Sequence, residues 1–315
     1  MTAALVSVLI PCFNAERYIG ETLESVFRQT WPALEIVIVD DGSTDRSLDE
    51  IRRFQCSRLT VLSQKNRGQT SALNKCILHS TGTFIQYLDA DDLISPDKIS
   101  LQMRRLSDRP NCVATAEWGR FYRDPKDTRF VPEAVWRDLD PLDWFALSRA
   151  DGLGMMLPAL WLIPRPLVDR AGPWHLELTL NNDAEYFTRL LLISSQVLFC
   201  EGARVFYRTG IPGSLSGLKS PAAWASQFRV LELCESRVLA RENSERMRRS
   251  FSLSWQHLAH GAYPYDPALA ERALARAHQL HPVRIMPGGG WRLRWLSRIV
   301  GWRAARRLQV ASGRK

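Results

Sequence analysis

Short apolar runs alternate with stretches of helical periodicity over residues 1–92. The runs at residues 6–10, 35–39, 59–62 and 84–88 are rich in β-branched and aromatic side chains, which is typical of strands buried on both faces. Pro11 is expected to end the first run, and apolar side chains then recur at the spacing of an amphipathic helix before the second run. The alternation predicts right-handed crossovers and a parallel sheet whose carboxyl edge carries the functional residues.

Acidic side chains follow two of these strands directly. Asp40 and Asp41 come after the second run, and Asp89, Asp91 and Asp92 come after the fourth. Taken alone, each cluster is better explained as a capped turn, because Asp, Gly, Ser and Thr are good turn and helix-cap residues. The alignment of two acidic strand ends at one sheet edge favours a divalent cation that holds an anionic substrate.

Composition places the chain among ordinary globular proteins. Its 315 residues, 45% hydrophobic and 24% charged, suffice for one large α/β domain with an appendage. The amino terminus lacks the basic region of a signal peptide, and the longest apolar run, residues 152–164, is too short to span a bilayer. Six scattered cysteines without metal-ligand spacing indicate reduced core residues, so a cytoplasmic location is expected.

The positive charge is concentrated at the carboxyl-terminal end. The chain carries a net charge of +9, and eleven basic residues but no acid follow Glu271, so the preceding residues together carry −2. This distribution disfavours nucleic acid as a partner and favours a tail that meets an anionic surface. The triple glycine at residues 288–290 is expected to break the chain before the tail. Residues 291–310 then alternate Trp and Arg on one expected helix with an apolar stripe along one side. Two interpretations stay open: attachment to the inner face of the cytoplasmic membrane, or a solvated helix whose tryptophans pack on protein.

Four motifs occur in a fixed order over residues 6–92. They read Val-Ser-Val-Leu-Ile-Pro-Cys-Phe-Asn, Val-Asp-Asp-Gly-Ser-Thr-Asp, Asn-x-Gly-x-x-x-Ala-x-Asn and Leu-Asp-Ala-Asp-Asp. Each is weak alone, but in register they make the chain resemble family 2 glycosyltransferases. The resemblance implies a GT-A fold, which is Rossmann-like with a mostly parallel sheet flanked by helices. It also implies a domain at residues 1–215, with a nucleotide-sugar half at 1–110 and an acceptor half at 111–215, and a helical extension at 216–315.

The resemblance assigns roles to individual residues. It implies a nucleotide-sugar donor, with a UDP-sugar favoured, and a glycan or lipid-linked acceptor, as in polysaccharide biosynthesis. The D-x-D motif would bind Mn²⁺ or Mg²⁺ through Asp91. Asp89 would contact the ribose of the donor and could also bind the metal, and the role of Asp92 stays open. Gly68 begins a helix and either offers backbone donors to phosphate or forms a plain turn. The donor-binding residues implied are Pro11, Phe13, Asn14, Asp40, Asp41, Asn66, Gly68 and Asp89. Among these residues, Pro11, Phe13 and Asp41 match the family's base-binding pocket.

A further acidic segment begins a helix at residues 181–189. It resembles the family's acidic pair, although Asn182 replaces the usual first acid. Asp183 is therefore the candidate base of an inverting transfer, which needs one positioned carboxylate, and the helix start is expected to keep it ionised. Glu185 is the alternative, because the missing acid leaves the register open. Ordinary helix-start chemistry explains the same residues without any catalytic role.

Two classes of function remain open for the whole chain. The absence of Gln-x-x-Arg-Trp, the motif of processive synthases in the family, favours an enzyme that transfers a single sugar. The alternative is a catalytically silent nucleotide-binding or scaffold protein of the same fold, which the substitution at Asn182 favours.

Overall fold

The computed structural model describes residues 3–54, 56–214, 217–282 and 291–311. The chain divides into two compact units. The first comprises Met1–Trp144, Met156–Thr179 and Tyr186–Pro212, and the second comprises Phe145–Met155, Leu180–Glu185 and Gly213–Lys315. The boundary expected between residues 215 and 216 lies outside the described residues.

Within the described residues, the first unit is built on a nine-stranded sheet. The strands in chain order are β1 Val6–Cys12, β2 Leu34–Asp40, β3 Leu59–Ser63, β4 Phe84–Tyr87, β5 Leu93–Ile94, β6 Cys112–Phe121, β7 Arg129–Phe130, β8 Leu162–Pro164 and β9 Gln196–Arg208. The sheet order is β3-β2-β1-β4-β8-β6-β9-β5, with β7 paired to β6. Parallel pairs join β1 to β2 and β4, β2 to β3, and β6 to β9. Because β8 is antiparallel to both β4 and β6, the carboxyl ends of β4, β6 and β9 reach the same edge.

Helices cover the sheet and build most of the second unit. The helices are α1 Ile19–Phe27, α2 Ser47–Arg52, α3 Gln69–Leu78, α4 Lys98–Leu106, α5 Pro141–Ser148, α6 Arg165–Ala171, α7 Asn182–Ile193, α8 Pro221–Arg241, α9 Glu245–Ala262, α10 Pro267–Leu280, α11 Trp291–Val300 and α12 Trp302–Ala311. Helices α5 and α7 contribute residues to both units. Among the described residues, no helix combines the length and the hydropathy needed to cross a membrane.

The first strand continues through the proline that was expected to end it. All seven residues of β1 are buried, and Pro11 pairs in register with Val39. The carbonyl of Leu9 accepts a hydrogen bond from Leu88 N–H, so Leu9 and Pro11 face the β4 side of β1. Since the pairing of β4 with β1 stops at Tyr87, the missing N–H of Pro11 faces a position beyond that ladder, where proline is tolerated.

Aromatic side chains pack beneath the end of β4. Trp174 stacks on Tyr186 with ring centres 4.0 Å apart, and the hydroxyls of Tyr186 and Tyr87 lie 2.7 Å apart. Trp161 and Phe187 complete the buried cluster, with their rings stacked at 5.4 Å. Tyr87 is the last residue of β4, so this packing fixes the strand immediately before the acidic motif.

The basic tail is not one continuous helix. Gly301 adopts a φ of +78°, which ends α11, and α12 begins at the next residue. The apolar stripe expected along residues 291–310 is therefore divided between two helices. Trp302 packs against Tyr263 with ring centres 5.1 Å apart, whereas Trp291 and Trp295 of α11 are 73% and 61% exposed. The triple glycine expected to separate this tail, residues 288–290, lies outside the described residues.

Candidate active site

The loops after β1 and β2 are joined by hydrogen bonds at the carboxyl edge of the sheet. Asn14 Oδ1 accepts from the Thr44 N–H at 2.8 Å, and the Asn14 N–H donates to Ser43 Oγ at 3.0 Å. Asn14 has a φ of +49°, a conformation that asparagine tolerates better than most residues. The backbone at Gly42 approaches the Asn66 nitrogen so closely that a Cβ atom there would lie 2.8 Å from it. Asn14 and Asn66, both expected to bind the donor, thus meet the same loop.

Asp41 organises the loop that leads into α3. Its carboxylate is buried and accepts three hydrogen bonds, from Gln64 Nε2 at 2.7 Å, the Arg67 N–H at 2.9 Å and the Gly68 N–H at 2.8 Å. The Gly68 N–H is therefore occupied by Asp41. Asp40 is also buried and caps its own turn through the Ser43 N–H. The turn chemistry considered for this pair is present, and it serves to shape the loops around the expected base-binding pocket.

Phe13 and Pro11 differ in exposure at the mouth of this edge. The Phe13 ring is 49% exposed, although it directly follows a fully buried strand, whereas Pro11 is buried. An exposed aromatic ring beside buried carboxylates provides a flat apolar surface of the kind that stacks on a planar base. This arrangement is compatible with the base-binding role that remains a prediction for both residues.

Asp89 is linked to the start of α3. Gln69 Nε2 donates to Asp89 Oδ1 at 2.9 Å, and Gln69 is the first residue of that helix. The carbonyl of the next residue, Ala90, accepts from Thr22 Oγ1 of α1 at 3.0 Å. Together with the bonds of Asp41, these contacts connect the expected donor residues of β2, the α3 loop and β4 into one hydrogen-bonded edge.

Arg208, at the end of β9, braces the acidic motif. Its N–H donates to Asp92 Oδ1 at 2.9 Å, and its Nε donates to the Asp91 carbonyl at 2.9 Å. Glu21 of α1 accepts from its Nη2 at 2.6 Å. The guanidinium lies over the Tyr18 and Phe121 rings at 4.9 and 4.5 Å. Arg208 is thus held by internal contacts, and its position at a parallel strand end is what brings it there.

The surroundings of the acidic motif disfavour the ionised forms of Asp91 and Asp92. Burial raises the pKa of Asp91 above its ordinary value, against the opposing charge of Arg208. Burial, followed by the negative charges of Asp91 and Asp89, raises the pKa of Asp92 well above its ordinary value. Asp92 Oδ2 is buried and has no hydrogen-bond partner among the described residues. A cation at this edge would favour the ionised form of all three carboxyls.

The donor set fits a metal that shares its ligands with a substrate. No group of three or more His, Cys, Asp or Glu side chains in the described part of the chain forms a closed metal cage. Mg²⁺ characteristically uses one or two carboxylates together with substrate phosphates and water, and Asp89 and Asp91 supply that number. A cation would stabilise the ionised carboxylates of Asp91 and Asp92, whose pKa values are raised in its absence. It would also give Asp92 Oδ2 a ligand partner.

The two candidate bases belong to the second unit and differ in their surroundings. Glu185 is fully buried and forms an ion pair with Arg237 of α8. Asp183 is half-buried in the first turn of α7, and its Oδ1 accepts from the Ala184 N–H at 2.8 Å. Burial raises the pKa of Asp183 to about 6, so it outweighs the stabilisation expected from the helix start. These contacts favour Asp183 over Glu185, since a base needs an available carboxylate.

A buried arginine of the second unit acts on Asp183. The positive charge of Arg149 lowers the pKa of Asp183 and thereby opposes the effect of burial. Burial lowers the pKa of Arg149 itself, and its Nε has no hydrogen-bond partner among the described residues. Helix α9 holds the backbone of this segment: Ser250 Oγ donates to the Arg149 carbonyl at 3.3 Å, and Ser254 Oγ donates to the Gly152 carbonyl at 2.8 Å.

Sequence reasoning did not identify Gln69 or Arg149. A signal existed for Gln69, because it follows the glycine of the third motif at the start of a helix. No comparable pattern surrounds Arg149. Its effect depends on its burial, which the sequence does not predict because arginine side chains are mostly exposed.

A family model described as "Glycosyl transferase family 2" matches residues 7–168, slightly more than half of the chain. The chain belongs to this family. It is similar to Glycosyltransferase GlyG of Streptococcus pneumoniae serotype 4, with 28% identity over 243 residues that cover 70% of this chain and 76% of that protein. The expected enzyme class is confirmed: the protein is a glycosyltransferase.

Two solved structures share the fold at low sequence identity. TarS of S. aureus is 19% identical, with a TM-score of 0.68 over 97% of this chain, and this chain spans 55% of that protein chain. The mannosyltransferase PcManGT of Pyrobaculum calidifontis is 16% identical, with a TM-score of 0.53 over 100% of this chain and 89% of that chain. The expected α/β fold with carboxyl-terminal helices is confirmed.

Proposed function

We propose that this glycosyltransferase moves one sugar from a nucleotide-diphosphate sugar to a glycan or lipid-linked acceptor, with inversion at the anomeric carbon. The observation that carries the proposal is the acidic motif after β4, where the half-buried Asp91 and the buried Asp92 have raised pKa values at the edge that also holds Asp41 and Asn14. Such a cluster is suited to a cation and a diphosphate. Within this proposal, residues 1–110 hold the donor, residues 111–215 hold the acceptor, and residues 216–315 form the helical extension.

A UDP-sugar is the donor that we favour. The structure of TarS residues 1–349 was solved in complex with UDP-GlcNAc, and it matches this chain with a TM-score of 0.63 at 16% identity over 98% of this chain and 92% of that one. Phe13 offers an aromatic face for the base, and Asp41 shapes the loop that contains Asn66 and Gly68. Asp89, fixed by Gln69, is assigned to the ribose side.

A divalent metal belongs with Asp91 and Asp89. PcManGT was solved with GDP-Man and Mn²⁺, and the two carboxylates here match the number that Mg²⁺ or Mn²⁺ takes beside phosphate oxygens. A bound metal neutralises charge on a departing diphosphate. Arg208 holds the backbone of Asp91 and the carboxyl of Asp92, so it orients the motif for that purpose.

Asp183 is assigned as the general base. Its carboxylate removes the proton of the acceptor hydroxyl while the hydroxyl oxygen bonds to the anomeric carbon. The bond from that carbon to the diphosphate breaks, and the nucleoside diphosphate leaves with the electron pair. Arg149 keeps a larger fraction of Asp183 ionised at neutral pH than burial alone would allow.

Thermal shift with nucleotides and Mn²⁺ tests the donor site. UDP with Mn²⁺ is expected to raise the Tm of the protein by several degrees at saturating concentration, because a ligand that binds only the folded state stabilises it by mass action. GDP, ADP and each nucleotide without metal serve as comparisons. If no nucleotide raises the Tm with Mn²⁺ or Mg²⁺ present, the proposed function is wrong.

A catalytically silent protein of the same fold is the second candidate. The observation that favours it is Asn182, which stands where the family's first acid is usual. Donor binding without turnover on any acceptor, together with identical behaviour of the wild type and Asp183→Asn, would support this candidate over the enzyme.

We also propose that α11 brings the protein to an anionic membrane surface. Trp291, Trp295 and Ile299 are exposed at four-residue spacing on this helix, which places them on one face beside a basic segment. This location is compatible with a lipid-linked acceptor at the inner face of the cytoplasmic membrane.

Vesicle sedimentation tests this attachment. Replacing Trp291 and Trp295 by serine is expected to weaken binding to phosphatidylglycerol vesicles by about tenfold or more, since each indole loses its burial at the interface. Leu78→Ser removes an apolar side chain of α3 that is more exposed than either tryptophan, and it serves as the control, with wild-type binding expected. Equal binding of the double variant and the wild type would contradict the attachment.

A further inference from the structure

A cleft of about 530 Å³ opens at the carboxyl end of β6. Its lining includes three arginines, Arg120, Arg123 and Arg129, and the aromatic residues Trp118 and Tyr122. The volume falls within the range of ligand pockets, about 300–1,000 Å³. The arginines follow one another at short intervals among aromatic residues, and this segment lies outside the four sequence motifs.

One wall of the cleft is a fixed hairpin that sets two like charges side by side. Strands β6 and β7 pair with Arg120 directly opposite Arg129. A Cβ atom at Gly119 would lie 2.6 Å from the Arg129 carbonyl, so only glycine permits this close strand approach. Arg123 and Arg129 line the same cleft, and their guanidinium groups would stabilise an anion bound there.

Aromatic rings orient the cationic groups. The Arg120 guanidinium lies 5.5 Å from the Trp118 ring centre and 5.6 Å from that of Tyr207 on β9. Contacts at this distance hold a guanidinium against the ring faces. The Tyr122 side chain is 70% exposed at the cleft and offers a flat ring face on which a sugar can stack.

The cleft is connected to the acidic motif through two contacts. Phe121 lines the cleft and packs against the Arg208 guanidinium at 4.5 Å. Arg208 in turn donates to the Asp91 carbonyl. The carboxyl ends of β6 and β4 share one sheet edge, so a chain lying in the cleft approaches the edge at which the donor is proposed to bind.

We propose that this cleft is the acceptor subsite and that its ligand is an anionic saccharide chain, bearing phosphodiester or carboxylate groups. The inference rests on the proposed function and names the substrate class of the same site. Guanidinium forks bind phosphate and carboxylate oxygens in bidentate geometry, and the aromatic faces suit the sugar rings between them.

Two acids in the lining limit the cleft to a mixed ligand. Asp127 and Glu133 stand with the three arginines, so the charged lining residues carry a net charge of +1. Carboxylates accept hydrogen bonds from sugar hydroxyls but repel a uniformly charged polyanion. A saccharide that alternates hydroxyl and anionic groups satisfies both kinds of side chain, whereas DNA, which has no hydroxyl groups along its backbone, does not.

Equilibrium binding to the full-length protein tests the subsite. The probes are a glycerol-phosphate oligomer, a hyaluronan oligosaccharide and neutral dextran, each titrated with UDP and Mn²⁺ present. Tighter binding of either anionic probe than of dextran is expected, and the two anionic arms distinguish phosphodiester from carboxylate. Arg123→Glu with Arg129→Glu is expected to weaken the preferred probe at least about tenfold. Arg109→Glu reverses an exposed charge after α4 and serves as the control, with wild-type binding expected.

The outcomes separate the subsite from the donor site. If the wild type is stabilised by UDP and Mn²⁺ but binds all three saccharides equally, the subsite is wrong and the proposed function stands. If no nucleotide stabilises the protein, the proposed function fails first. Single-stranded DNA that competes as well as the preferred saccharide would overturn the subsite as a saccharide site. Arg123→Gln with Arg129→Gln repeats the test if charge reversal lowers the Tm, and unchanged binding of this variant also overturns it.

Discussion

Replacing Asp91 by alanine is expected to lower the rate of sugar transfer about 1,000-fold, because loss of the metal site removes roughly 4 kcal/mol of stabilisation from the charge on the departing diphosphate. The stabilisation of the protein by UDP and Mn²⁺ is expected to disappear in the same variant. Initial rates at saturating donor and a Tm series in Mn²⁺ measure the two effects.

The alanine variant separates metal binding from folding. Asp91 is half-buried and burial raises its pKa, so removal of its carboxyl is not expected to lower the Tm of the metal-free protein. Asp108→Ala, an exposed acid after α4, is the control and is expected to keep both turnover and metal-dependent stabilisation. Undiminished turnover in Asp91→Ala would remove Asp91 from the metal site.

Arg208 fixes the positions of Asp91 and Asp92 at the carboxyl edge of the sheet. Asp91 is held through its backbone and Asp92 through its side chain, so the Asp91 carboxylate is left for a ligand. Glu21 pairs with the same arginine and lies on α1, the helix that also fixes the Ala90 carbonyl through Thr22. The acidic motif is thereby tied to the first helix as well as to the last strand of the sheet, which is a tertiary arrangement that local sequence does not encode.

The strands and their acidic ends were predictable because both follow from local patterns. A run of β-branched residues needs burial on both faces, and turn residues after it end the strand, so Asp40, Asp41 and Asp89 were placed correctly at strand ends. Pro11 was misjudged for a reason that is not local. Proline ends a strand only where its missing N–H faces a partner, and the partner strand stops short here.

Residues that act through burial could not be predicted. Gln69 reaches Asp89 across 20 sequence positions, and Arg149 acts on Asp183 from a segment with no periodic pattern. The prediction of one helix with a continuous apolar stripe in the tail was wrong, because a helical wheel assumes an unbroken helix. Gly301 instead adopts a positive φ between the two short helices α11 and α12. In each case the deciding term is a contact or a backbone conformation set by the assembled fold.

Replacing Asp183 by asparagine is expected to lower kcat about 100- to 10,000-fold, the range typical of a lost general base. In the wild type, turnover is expected to rise with pH through about 6 and then level, because the base works only when deprotonated and burial raises its pKa to about 6. Arg149→Met is expected to move this limb to higher pH, since it removes the charge that lowers the pKa of Asp183. Arg149→Lys keeps a positive charge and is expected to leave the limb closer to its original position.

The other charges near this carboxyl sharpen the test. Glu185 and Arg237 form an ion pair on α7 and α8, so they oppose each other's effect on Asp183. Breaking a buried pair leaves an uncompensated charge. Glu185→Gln is therefore expected to lower the Tm while kcat stays close to the wild-type value. If Glu185→Gln instead abolishes turnover in a folded protein while Asp183→Asn retains it, the base is Glu185. A pH limb that stays in place in Arg149→Met would show that Asp183 does not set it.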